Sequence, residues 1–193
     1  MAKVTLENLN KIFVSKIGKD VKAVNDFNLL LEDGEILALL GSSGCGKTTT
    51  LRMIAGFETA TSGQIKIGER IVNDLKPADR NVAMAFEGYA LYPPLTVKDN
   101  IAFSLMREKI SKDKVDSKVM EVAELLEITD ILERYPPSIS GGQQQRVSLA
   151  RALVRDSDAL LLDEPMSQLE PQLRAVLRAV SYTHLTLPTS FLV

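Results

Sequence analysis

Three short segments hold residue types that chemistry can use. The run Gly41, Ser42, Ser43, Gly44, Cys45, Gly46, Lys47, Thr48 fits G-x-x-x-x-G-K-[ST]. It stands between a short apolar run and a stretch of helical spacing, the context a phosphate-cradling loop requires. Its glycines let successive backbone N–H groups turn inward onto phosphate oxygens, and the following helix adds the positive end of its dipole. Lys47 would reach the β- and γ-phosphates as a mobile point charge, and the Thr48 hydroxyl is a hard oxygen of the kind Mg2+ accepts. In the second segment, Ala159–Leu162 is followed by Asp163 and Glu164, two acids at the strand end where ligands of parallel sheets lie. Asp163 can hold Mg2+ through its waters, which leaves Glu164 to orient and deprotonate an attacking water as general base. The third segment, Ser140, Gly141, Gly142 and Gln143, opens a helix with N–H groups aimed at an anion. Taken singly, the acid pair also reads as a solvated turn and the third segment as a capped helix start. Their combination is what is specific.

The elements that must position these groups show as patterns. Residues 4–9 alternate like a half-buried strand and residues 21–31 do so more loosely, before the turn signal Asp33-Gly34; both are expected to be antiparallel strands. Residues 35–40 are a continuous apolar run bounded by turn residues, which predicts a strand buried on both faces of a parallel sheet. Helical spacing runs from Lys47 to Ala55, with Gly56 placed as a C-terminal cap. Residues 64–72 predict a hairpin turning at Gly68-Glu69, and residues 81–86 a further buried strand. From Thr96, an N-cap with Asp99 three residues on, the pattern turns helical, and a second helix places Val115, Val119, Val122 and Leu126 at helical spacing. Pro136-Pro137 ends that run, and a helix over 141–154 leads to a strand over 158–162. A helical lobe over about residues 88–150 is expected. Residues 181–193 carry no Lys, Arg, Asp or Glu and no helical or strand period. They resemble translated adapter sequence and are expected not to be native to the domain.

A length of 193 residues suits one domain rather than two. With 23 Lys+Arg against 25 Asp+Glu there is no basic footprint, so binding to nucleic acid is not expected. The apolar runs fall far short of the roughly 20 residues that cross a bilayer, and residues 1–10 lack the apolar stretch of an export signal. One cysteine cannot form an intramolecular disulfide, which points to a reducing compartment.

Together the segments resemble the nucleotide-binding domain of ATP-binding cassette (ABC) transporters, whose signature LSGGQ is echoed by Ile139, Ser140, Gly141, Gly142 and Gln143. The resemblance runs from about residue 4 to 178. The fold it implies is α/β, a P-loop NTPase (RecA-like) core sheet with an N-terminal antiparallel β subdomain and an inserted helical subdomain, filling residues 1–180 incompletely. It implies ATP and Mg2+ as cofactors. It also implies a head-to-tail dimer, of two copies or with a paired ABC subunit, in which ATP lies between residues 41–49 of one copy, Thr49 included, and residues 140–143 of the other. Phe13 occupies the place where the family stacks an aromatic ring on adenine; it also reads as a core aromatic at a strand end. Glu87 stands where the family has Gln and is expected to ligate metal with Thr48 and Asp163, or to be a harmless variant. The stretch from Glu87 to Val97, with Tyr89, Tyr92, Pro93 and Pro94, looks like the segment that receives a membrane permease subunit, or else packs the two lobes together. Glu164 is implied as the catalytic base.

Two departures stand out. Ser167-Gln168-Leu169-Glu170 ends in Glu where the family's D-loop has Asp. The family's switch histidine is expected near or past the last residue, and His184 comes too early for a helix, loop and strand to precede it. The implied function is an ATP-binding and ATP-hydrolysing subunit that energises an importer of sugars or related compounds. It is expected to be cytoplasmic, peripheral on the inner face of the membrane, and without direct contact to the transported solute. The alternatives are a soluble ABC ATPase without a transporter, and a truncated fragment that binds nucleotide weakly and turns it over slowly or not at all.

Overall fold

The structure, a computed structural model, describes residues 1–15, 18–85, 90–106 and 110–163. β1 (Val4–Phe13) and β2 (Val21–Leu31) pair antiparallel, with Val4 opposite Leu31 and Phe13 opposite Val21. β3 (Ser62–Ile67) adds antiparallel to the other edge of β1, and β4 (Arg70–Ile71) closes the hairpin expected at Gly68-Glu69. The sheet order is β2-β1-β3-β4. β1 runs four residues beyond the alternation visible in the sequence, because its register shifts between Leu6 and Leu9, where Asn8 has φ 48°. Such a bulge flips the pleat. Val4 and Leu6 face inward before it, and Leu9 and Lys11 after it.

α1 (Lys47–Ala55) buries Thr50, Met53, Ile54 and Ala55, of which Met53, Ile54 and Ala55 join Leu6, Leu9, Ile65 and Leu161 in one apolar cluster. It stops where the sequence indicates, at Gly56 with φ 83°. Beneath that end runs Arg80, only 2 % exposed. Its guanidinium donates to the carbonyls of Met53 (2.7 Å) and Ile54 (3.1 Å) on the helix, and to those of Leu75 (2.9 Å) and Asn73 (2.9 Å) on the chain that follows. A positive fork at a helix C-terminus satisfies carbonyls that the helix itself cannot. Gly56 makes room for it, since a Cβ there would lie 2.6 Å from Arg80 Nε.

β5 (Val82–Ala85) pairs parallel with β6 (Ala159–Leu162), Val82 opposite Ala159 and Ala85 opposite Leu162. A second cluster gathers α2 (Val97–Ala102), α3 (Lys112–Leu125) and α4 (Gly141–Leu153) around Val97, Ile101, Val119, Ala123 and Val147. β6 is the wall between the two. Ala159 and Leu161 belong to the first cluster, while Leu160 and Leu162 pack on the second, the period-2 consequence of a strand covered on both faces. An antiparallel sheet, a parallel pair and a helical layer together make the α/β fold expected from the sequence.

One expectation is corrected. Residues 35–40 form no strand, and Ile36, Leu37 and Leu40 are exposed. A strand exists only through a ladder, and among the described residues none pairs with 35–40. The apolar run identifies a segment that a sheet would cover, and no neighbour is described that covers it. The expected tail at 181–193, with His184, lies outside the described residues.

Replacing Arg80 with Met should lower stability by about 3 kcal/mol or more, because four buried or half-buried carbonyls lose a charged donor. Arg80→Lys should recover only part of this, since an ammonium lacks the planar fork. Denaturant or thermal unfolding of the three proteins measures both effects.

Candidate nucleotide site

The loop from Gly41 to Gly46 is built on positive φ angles at Gly41 (157°), Gly44 (81°) and Gly46 (98°). Gly46 is the N-cap of α1 and offers no side-chain oxygen to the helix N-terminus, so the first N–H groups there are not all taken by the protein. Its lack of a Cβ is required twice over, by φ and by packing: a Cβ would collide with the Ala23 carbonyl oxygen of β2 and crowd Val24. The loop is thus seated directly on β2. Lys47 reaches back across it, its ammonium donating to the carbonyls of Gly41 (2.7 Å) and Ser42 (2.9 Å) and to Cys45 Sγ (3.6 Å). Ser43 and Cys45 are exposed, and Thr49 is half-buried on α1.

One residue later, Thr48 Oγ1 donates to Asp163 Oδ1 at 2.8 Å across 115 positions of sequence. Asp163 is 7 % exposed, and its N–H donates to the Ala85 carbonyl at the end of β5. The two residues expected from sequence to serve Mg2+ are therefore side by side, at the C-terminal edge of the parallel pair. Two hard oxygens from Thr48 and Asp163 fit an ion that takes few protein ligands and completes its shell with phosphate and water. No larger group of metal-ligating side chains occurs among the described residues. Glu164 and Glu87, both assigned chemistry from sequence, lie outside the described residues.

Phe13 ends β1 with 41 % of its surface exposed. It pairs with Val21 on the same β2 against which Gly46 packs, so the aromatic and the glycine loop flank one strand. The third segment lies apart from this group. Ser140 caps α4 by accepting from the Gln143 N–H (3.3 Å), and the Gln143 side chain accepts from the Ser140 N–H (2.9 Å). Ser140 and Gly141 are exposed at this helix start, and α4 packs in the helical cluster rather than with α1.

Sequence reasoning missed the residues that hold these pieces. Asn100 is completely buried. Its Oδ1 accepts from the Tyr92 N–H (2.8 Å), and its Nδ2 donates to the carbonyls of Tyr92, Leu95 and Thr96 at 2.9–3.0 Å. One side chain thereby folds the whole Tyr92 to Thr96 turn. Arg151 of α4 donates to the Ala90 carbonyl (2.6 Å) and lies 4.8 Å over the Tyr92 ring; burial draws its pKa down from the ordinary guanidinium value, with Tyr92 acting the other way. Tyr92 also packs on Phe103, ring centroids 4.5 Å apart. A polar residue four places beyond the expected N-cap at Thr96, and next to Asp99, gave no signal that it points inward.

No described helix is long and apolar enough to cross a membrane. Residues 24–167 match the family described as ABC transporter. The sn-glycerol-3-phosphate import ATP-binding protein UgpC of Ruegeria pomeroyi is 48% identical over 178 residues, 92% of this chain and 49% of that protein. The trehalose/maltose import ATP-binding protein MalK of Thermococcus litoralis is 50% identical over 185 residues, 93% of this chain and 48% of that protein. The chain thus spans about half the length of these curated relatives. Among solved structures, the ATP-binding cassette MJ0796, a dimer in a post-hydrolysis state bound to ADP and Pi, superposes with a TM-score of 0.81 at 27% identity, covering 92% of this chain and 80% of that one. Sequence, fold and the loop of Gly41 to Thr48 agree, and the chain belongs to the ABC transporter family.

Proposed function

We propose that the chain binds Mg-ATP at the loop from Gly41 to Thr49 and that this binding energises a solute importer of the sugar and glycerol-phosphate type. The observation that carries the reading is the Thr48–Asp163 contact at 2.8 Å beside a glycine loop with an uncapped helix start. Phosphate oxygens would take the N–H groups of residues 43–48, and Lys47 would exchange its bonds to the Gly41 and Ser42 carbonyls for the β- and γ-phosphates. Phe13 would stack on adenine. Thr48 and Asp163 would hold Mg2+, with Glu87 as a further ligand. An ion held there would supply positive charge to offset the negative charge of the phosphates. Glu164, next to Asp163, would take a proton from the attacking water.

Ser140, Gly141, Gly142 and Gln143 would serve the nucleotide of a second cassette. That role suits a helix start that is exposed and already stiffened by its capping box. The named relatives are import ATP-binding proteins and the solved cassette is a dimer, which supports a dimer docked peripherally on a permease from the cytoplasmic side. Of the stretch from Glu87 to Val97, the described part, from Ala90 to Val97, is a stiff turn presenting Tyr92, 39 % exposed, whose ring packs on the equally exposed Phe103 that follows α2. Solute would meet the permease, not this chain.

A second reading, in which the chain binds nucleotide but turns it over slowly, is favoured by one observation: residues 35–40, which lead into the loop, are not held by any described ladder.

In titration calorimetry, Lys47→Ala should weaken Mg-ATP binding about 10- to 100-fold, the loss of one charge-assisted contact. Thr48→Val should cut the gain in ATP affinity that Mg2+ provides by more than it weakens Mg2+-free binding. An unmodified chain that does not bind Mg-ATP, or a Lys47→Ala chain that binds it as well, would refute the assignment. A turnover within the ordinary enzyme range of ~1–10³ s⁻¹, lost in Glu164→Gln, would set aside the slow-turnover reading.

A further inference from the structure

Lys11 is a lysine on the buried face of β1, only 8 % exposed, and no part of the phosphate chemistry calls for it. Its ammonium donates to Glu58 Oε1 at 2.7 Å and to the Thr59 carbonyl at 2.8 Å. An ammonium has three donors, and the face of the Phe13 ring lies 4.8 Å from the same nitrogen, well inside the range of a cation–π contact. Lys11 and Phe13 are two residues apart near the end of β1, where a further register shift falls between Lys11 and Ile12, and the ammonium comes to lie over the ring. Glu58 and Thr59 belong to the chain that leaves α1 just after Gly56. Two more bonds fasten that segment to the end of β1: Thr61 N–H to the Asn10 carbonyl (2.8 Å) and Ile12 N–H to Thr61 Oγ1 (2.9 Å). The Lys11 ammonium also holds the Glu58 carboxyl below its ordinary range, as a persistent pair does.

We propose that Lys11 is a positioning residue for base recognition: locked by Glu58 and the Thr59 carbonyl, its ammonium fixes the Phe13 ring on which the nucleotide base stacks and ties that ring to the helix that binds the phosphates. This rests on the reading that Phe13 stacks on adenine. A phenyl ring ending an exposed strand has freedom about its Cα–Cβ bond, and a base that stacks on it must freeze that freedom. A cation already seated on one face removes part of the cost, while the 41 % exposure of Phe13 leaves surface for the base. The two ends of a nucleotide, base and phosphate, would then be bound by parts that move as one.

The test compares the affinity of the full 193-residue chain for ATP and for inorganic tripolyphosphate, which carries the phosphates without a base. Lys11→Met should weaken ATP binding about three- to tenfold, the size of a partly desolvated cation–π contact, and leave tripolyphosphate binding unchanged. In a Phe13→Ala background, Lys11→Met should cause no further loss, and Lys11→Arg should restore ATP binding toward the original value. Glu58→Gln, which keeps the lysine and weakens its anchor, should shift ATP against tripolyphosphate in the same direction and serves should Lys11→Met fail to fold. Equal losses for the two ligands, or losses that add with Phe13→Ala, would overturn the proposal alone. Phe13→Ala that binds ATP like the unmodified chain would overturn the stacking reading, and the role of Lys11 with it.

Discussion

A single hydrogen bond, from the Thr48 hydroxyl to the Asp163 carboxylate, joins the first turn of α1 to the end of β6. Asp163 is almost fully buried, and a buried polar side chain needs a hydrogen-bond partner. Thr48 supplies the partner, and the N–H of Asp163 is fixed in turn by Ala85 on β5. Because β6 separates the two apolar clusters, this contact sets the position of the glycine loop relative to both. The same oxygens that hold the fold together are those a hard cation would take, so structure and chemistry compete for one pair of atoms.

Around that contact, loops are held by side chains rather than by ladders. Arg80 closes the end of α1, Asn100 folds the turn before α2, and Arg151 reaches from α4 to the Ala90 carbonyl. Each is buried or half-buried and each donates to backbone carbonyls, the groups that irregular chain leaves unsatisfied. Amide and guanidinium groups suit this role because they offer several donors in a fixed plane. The exposed turn at Tyr92 therefore keeps a defined shape although its tip faces solvent.

Much of this was legible in the sequence. The helix from Lys47 to its Gly56 cap, the hairpin at Gly68-Glu69, the Thr96 cap and the short strands on either side of the helical stretch all follow from period and punctuation. The sequence also assigned Thr48 and Asp163 to one expected metal site, and the two side chains lie within hydrogen-bonding distance. What was illegible has physical causes. The bulge at Asn8 breaks the alternation of β1, which hid the inward turn of Lys11. Arg80 and Asn100 look like surface residues until their distant acceptors are known, because burial of a polar side chain depends on partners that local pattern does not encode. Residues 35–40 misled in the opposite sense: an apolar run reports what a segment needs, not whether a neighbour supplies it.

That segment has a thermodynamic consequence. It leads directly into Gly41, whose carbonyl is one of the two that Lys47 holds, so the ordering of the segment and of the loop meet at that residue. Fixing backbone costs roughly 1–2 kcal/mol per residue, and whichever partner binds first, strand or phosphate, meets part of that cost for the other. Linkage then requires reciprocity: if a strand laid along Ile36 and Leu37 changed the affinity of the loop for phosphate, phosphate would change the affinity for that strand by the same factor.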